Sequence, residues 1–129
     1  MTAQTSSELV EALFRAAVVG ADPGAATAQA VEKLSTARHQ RLWLFAVGKA
    51  AHAMASAATA TLQRSLIAIA GGLVVAPEDA PSPADTMASV RGDHPVPGRH
   101  SFAAAARLAE TAAGMKSNDI ALVLISGGA

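Results

Sequence analysis

Lys49 stands where one apolar run ends and another begins. RLWLFAV, from Arg41 to Val47, leads through Gly48 to Lys49 and then into the alanine-rich AAHAMASAA. The first run reads as a strand buried on both faces, and the second has helical character with Lys49 in its first turn. A strand, a glycine and a helix N-terminus together make an anion site, because unpaired backbone N–H groups and the positive end of the helix point outward there. The helix dipole does not favour a cation in a first turn. A lysine at that mouth therefore points to work on a ligand, the alternative being a surface lysine that ends a strand.

A second pattern of this kind closes the chain. IALVLI, from Ile120 to Ile125, is the strongest strand signal present and runs into Ser126-Gly127-Gly128. Glycines let backbone N–H groups approach a phosphate or carboxylate, and the serine hydroxyl adds a donor. Such a loop normally leads into a helix that completes the site. None follows before Ala129, so a fragment of something longer is expected; otherwise the loop is a turn at a free C-terminus.

Between these patterns lies RGDHPVPGRH, Arg91 to His100, which two prolines and two glycines keep irregular. It sets Asp93 and His94 side by side on a stiff backbone. Either they are presented to a ligand at little ordering cost, or the loop is a rigid corner that Asp93 caps or turns. His52, three residues after Lys49, reads as packing or a hydrogen-bonded neighbour, while His39 and His100 flank arginines in polar loops. Four dispersed histidines without a cysteine do not make a structural zinc site. Neither a Walker A sequence nor a GxGxxG fingerprint is present.

The elements that must position these residues can be read in order. Thr5 and Glu8 form a T-x-x-E capping box, followed by Leu9, Val10, Leu13, Phe14, Ala17 and Val18 at helical spacing, so a first amphipathic helix ends near Gly20. Asp22-Pro23 starts a second helix that runs to about Leu34, and Ser35 to Gln40 is a polar loop. The helix from Lys49 reaches about Arg64. Gly71 to Ala76 is a second buried strand and Thr86 to Val90 a weaker third. Ser101 caps a helix from Phe102 to about Ala113, with Gly114 as its stop. Apolar strands alternating with helices indicate a three-layer α/β/α Rossmann-like domain, its mainly parallel sheet covered on both sides and incomplete at the C-terminus. Residues 1–36 are a leading helical segment and 41–129 the sheet core. Right-handed crossovers bring Gly48-Lys49 and Ser126-Gly127-Gly128 to one crevice.

Composition narrows the function classes. The 129 residues suffice for one domain, 51 % of them hydrophobic, and ten basic residues balance ten acidic ones. Neutrality argues against a nucleic-acid or anionic-membrane surface. With no cysteine, no signal peptide and no apolar run of about 20 residues, a soluble cytoplasmic protein is expected.

In their order and spacing the segments resemble the N-terminal domain of the glycerate 2-kinase family, often described as hydroxypyruvate reductases and carrying a C-terminal MOFRL domain. The similarity rests on Asp22-Pro23, VGKAA at Val47 to Ala51, GLVV at Gly72 to Val75, HPVP at His94 to Pro97 and LISGG at Leu124 to Gly128. It implies an ATP- and Mg²⁺-dependent kinase that phosphorylates D-glycerate on its 2-hydroxyl in a cleft between two domains. By position, Lys49 matches the family's essential lysine, Gly48 and the Ser126-Gly127-Gly128 loop would hold an anionic group, and His94 would lie near the cleft. The chain departs from the family in two places: its loop reads Asp93-His94-Pro95-Val96-Pro97-Gly98 where members read GHPVPD, and Ala129 occupies a third glycine position. Family members have roughly 400 residues, or about three domains' worth, so the missing C-terminal domain would be a partner, and this chain alone is expected to be inactive. Other readings are a module that binds a small phosphorylated or carboxylated metabolite, a hydroxypyruvate reductase, and an assembly fragment whose sheet edge self-associates, as a homodimer in the simplest case. No metal ligand can be picked out.

Overall fold

The computed structural model describes residues 3–34 and 40–127. Gly128, Ala129, His39 and most of the expected polar loop lie outside them. The described elements are α1 (Ala3–Gly20), α2 (Pro23–Glu32), β1 (Leu42–Val47), α3 (Ala51–Arg64), β2 (Ile69–Ala76), β3 (Met87–Arg91), α4 (Arg99–Ala113) and β4 (Ile120–Ile125). The four strands form one parallel sheet in the order β3-β2-β1-β4.

Helices lie on both faces. Leu42, Leu44 and Ala46 of β1, Val74 and Ala76 of β2 and Leu124 of β4 pack against Ala51, Ala55, Ala58 and Leu62 of α3, and this is the core. α2 packs on the outside of α3. The alternate residues Val47 and Val75 share a cavity wall with Ala104 and Leu108, which puts α4 on the other face. Among the described elements α4 packs chiefly on β2 and β3. The expected α/β sheet is thus present, but its cover is not complete on both sides: Val123 and Ile125 of β4, paired with Phe45 and Val47 of β1, remain 54 % and 68 % exposed.

The glycines at the start of β2 are there for space. A Cβ at Gly71 would overlap the Trp43 ring, and one at Gly72 would overlap the Leu44 carbonyl oxygen. Strand β2 accordingly extends back through the pair to Ile69, two residues before the strand expected from sequence.

Other boundaries differ for local reasons. α1 reaches back to Ala3, so Thr5 lies inside the helix and not ahead of it. Its large apolar residues are exposed, from Leu9 at 51 % to Val19 at 74 %, and α1 has no packed interface with another described element. α4 begins at Arg99, with Gly98 in the N-cap position and Ser101 already in the first turn. Gly114 ends it as expected.

At the N-terminal edge of the sheet the Asp119 carboxylate is buried and joins three segments. Asp119 Oδ2 accepts from Lys116 N and from Trp43 Nε1, both at 2.9 Å, and lies 3.7 Å from Arg41. The Arg41 guanidinium also sits 5.5 Å above the Trp43 ring. The Lys116 N–H, then Trp43 and Arg41, hold the Asp119 carboxyl below its usual range against the opposing effect of burial.

Candidate functional site

A parallel sheet delivers every strand-to-helix loop to one edge. Three backbone bonds carry the ladder one residue beyond the strands and fix those loops: Gly48 N to Val75 O (3.0 Å), Gly92 N to Ala76 O (2.8 Å) and Ser126 N to Val47 O (3.1 Å). Gly48 adopts φ 115°, a conformation that a side chain would strain. It turns the chain sharply, and Ala51 N closes the turn on Gly48 O at 3.1 Å.

Lys49 therefore lies in a turn ahead of α3 and not in its first turn, since the helix starts at Ala51 with Ala50 at the N-cap. Ala50 has no side chain to cap with. A residue distant in sequence contributes there instead: Ser126 Oγ accepts from Ala50 N at 3.3 Å. That bond uses the oxygen's lone pair and leaves the hydroxyl proton without an acceptor among the described residues.

Two cavities open at this edge, and the exposed Lys49 lines both. One, of about 420 Å³, is bordered by Lys49, Ala50, Ser126 and Gly127 and by Pro23 and Thr27 of α2; among the described residues Lys49 is the only charged side chain on its wall. The other, of about 280 Å³, runs under α4 and is largely apolar, with Gly48, Asp93 and His94 also on its wall. The structure thus gathers Lys49, Ser126 and Gly127 in one cavity and Gly48, Lys49 and His94 in the other. His94 is exposed, and its ring has no hydrogen-bond partner among the described residues. Gly128 falls outside the described residues.

Asp93 turns out to be a helix cap. Its Oδ2 accepts from Ser101 N (2.9 Å) and Gly98 N (3.1 Å), its Oδ1 faces His100 Nδ1 at 2.8 Å, and its own N–H donates to Ser101 Oγ at 2.8 Å. A carboxylate can only accept, so His100 carries its proton on Nδ1. The Ser101 N–H above all, then His100, lowers the Asp93 carboxyl from 3.8 to about 2. The loop's acid is thereby occupied by α4 and is no free ligand. His52 contacts Ser89 Oγ at 3.1 Å, as befits a hydrogen-bonded neighbour.

Sequence reasoning had not picked out Ala50 and Thr27, because a backbone N–H and a helix-facing threonine leave no motif. The sequence points to Ser101 as the cap of α4 and leaves Asp93 open between ligand, turn and cap, whereas in the structure Asp93 accepts from the Gly98 and Ser101 N–H groups at the head of that helix.

A lysine, a free hydroxyl proton and a glycine turn around one mouth can hold an oxyanion. A family model described as "Domain of unknown function (DUF4147)" matches residues 9–129. The chain belongs to the DUF4147 family. Among solved structures, a glycerate kinase from Thermotoga maritima superposes on this DUF4147 domain with a TM-score of 0.80 at 29 % sequence identity. The match covers 97 % of this chain and 29 % of that one. Together the two findings bear out the resemblance to the N-terminal part of the glycerate 2-kinase family. Among curated proteins none matches the sequence. No helix among the described residues is long and apolar enough to cross a membrane.

Proposed function

We propose that this DUF4147 domain is the N-terminal part of an ATP-dependent glycerate 2-kinase and supplies the anion-binding wall of its active site. The observation that carries this reading is the placement of Lys49 between two cavities, beside Ser126 at the head of α3, in a fold that matches a glycerate kinase. D-glycerate offers a carboxylate and a 2-hydroxyl, and ATP supplies the phosphoryl group. The Lys49 ammonium would hold the carboxylate or neutralise the phosphoryl oxygens. The Ser126 proton and the Gly127 backbone would orient the same anion. Phosphoryl transfer depends on positioning and on charge neutralisation, and these residues provide both. With most of the neighbour's length outside the match, the 129-residue chain by itself is expected to be inactive.

The described residues do not fit a Mg²⁺ site. They contain no cluster of three or more acidic, histidine or cysteine side chains, and the Asp93 oxygens already face three N–H donors. We therefore assign no step to the metal here. The same observation favours a second reading, a module that binds a phosphorylated or carboxylated metabolite without catalysis.

The test is ADP release with D-glycerate, ATP and Mg²⁺, run on this chain and on the product of the reading frame extended past Ala129. Turnover by the extended protein alone, abolished by Lys49→Ala, supports the kinase. Glycerate or phosphate binding without turnover in either protein moves the binding module to the front.

A further inference from the structure

The two cavities at the sheet edge differ in what their walls can hold. The one under α4 is walled by Val47 and Val75 of the sheet, Ala104 and Leu108 of α4, and Pro95 and Pro97 of the loop before it. Polar groups on the same wall are already engaged. Gly48 N and Gly92 N donate to strand carbonyls, the Asp93 carboxylate faces Gly98, His100 and Ser101, and Ser101 Oγ accepts from Asp93 N. Of the polar side chains on this wall, only those of Lys49 and His94 make no hydrogen bond or ion pair among the described residues. Glycerate, with a polar oxygen on every carbon, would give up its water there without gaining partners. The volume points the same way. At about 280 Å³ the cavity falls just below the roughly 300–1,000 Å³ of whole small-molecule sites, which suits one ring system and not an entire nucleotide.

Lys49 lies on the walls of both cavities, and this order decides what the apolar one takes. A phosphoryl group held at the lysine has its donor on one side and its acceptor on the other. The cavity with the Ser126 hydroxyl and Gly127 suits the carboxylate-bearing acceptor. The uncharged end of the donor is then left to the cavity under α4. We propose that this cavity seats the adenine base of ATP, its ring faces against the valine and proline side chains, with the phosphates crossing to Lys49. The inference rests on the kinase reading for the identity of the donor, but the place of the base is tested without turnover.

The test uses the protein extended past Ala129, with Mg²⁺ present. 8-Azido-ADP is bound and illuminated, and the protein is digested with trypsin, which cleaves after Arg91, Arg99 and Arg107. Mass spectrometry should place the adduct in peptide 92–99, in peptide 100–107 or in both. In calorimetric titrations ADP should bind roughly 10- to 100-fold more tightly than pyrophosphate, which has two phosphates and no base, as burial of one ring's apolar surface gives. Ala105 is exposed on the cavity wall, so Ala105→Trp can fill the cavity from its mouth. That variant should lose the advantage of ADP and keep its affinity for pyrophosphate. Should it not fold, the adducts decide. Adducts in neither peptide, no binding of ADP, equal affinities for ADP and pyrophosphate, or full ADP affinity in the variant overturn the proposal. Turnover of glycerate with adducts elsewhere keeps the kinase and removes the base from this cavity; adducts in either peptide without turnover do the reverse.

Discussion

Ser126 Oγ accepts the backbone N–H of Ala50 at 3.3 Å, tying the loop after β4 to the turn that carries Lys49, 76 residues away in sequence. The bond sets the hydroxyl beside the same cavity as the lysine. Ser126→Ala removes a donor from the proposed anion and an acceptor from the head of α3. A hydrogen bond to a charged group contributes about 1.5–3 kcal/mol, so phosphate or glycerate binding should weaken roughly 10- to 100-fold. Calorimetric titration of the extended protein measures it. Unchanged affinity would leave Ser126 as a cap for α3 only.

Lys49→Ala separates function from fold. Lys49 is exposed and makes no hydrogen bond or ion pair among the described residues, so its loss should change unfolding free energy by no more than about 0.5 kcal/mol. Turnover of glycerate by the extended protein should fall by about 10²- to 10³-fold, as when other preorganised charge-stabilising groups are removed. A stability loss equal to that of a core residue would instead make Lys49 structural.

Gly48→Ala tests the turn. At φ 115° a side chain is strained, and a residue forced into such a region costs about 1–3 kcal/mol. Urea unfolding should show a loss of that size. A neutral result would mean that the turn relaxes without Gly48.

Much of this was legible in the sequence. The IALVLI strand, the Gly114 stop and the parallel α/β architecture follow from apolar runs and punctuation, which are local signals. Gly48 stands out in the sequence because strand, glycine and helix are contiguous there, and Ser126 because a strand runs directly into Ser-Gly-Gly. Asp93 was harder: an aspartate between turn residues fits a ligand, a turn or a cap, and only the fold of the loop onto Gly98 and Ser101 decides for the cap. The open face of β4 was hidden, because an apolar strand reads as covered whether or not its cover is present.

α1 gives a further contrast. Leu13 and Phe14 are 62 % and 68 % exposed, whereas Leu44 is fully buried against α3. In the 129-residue chain, Leu13→Ala should change stability by less than about 0.5 kcal/mol, the usual limit for surface sites. Leu44→Ala should cost about 2–5 kcal/mol through lost burial and the cavity left behind. Chemical unfolding of both variants measures the difference. A cost at Leu13 close to that at Leu44 would mean that α1 packs against a partner in solution.

Asp93 links the loop to pH. Its folded-state carboxyl lies at about 2, below the ordinary 3.8, because the Ser101 N–H and then His100 favour the anion. The sign follows from linkage: a depressed carboxylate contributes stability that is fully present above its unfolded value and lost as pH falls through the folded one. The contribution should be complete above about pH 4 and decline between about pH 4 and 2, where Asp93 protonates and releases the head of α4. Asp93→Asn removes the charge and keeps the shape, so the stability gap between wild type and variant should be widest near neutral pH and close across that window. Asp119, also depressed, titrates alike in both proteins and drops out of the gap. Urea midpoints from pH 7 to 2, with amide exchange at Gly98 and Ser101, give the test. A gap that stays constant with pH would mean that the charge of Asp93 does not hold the cap.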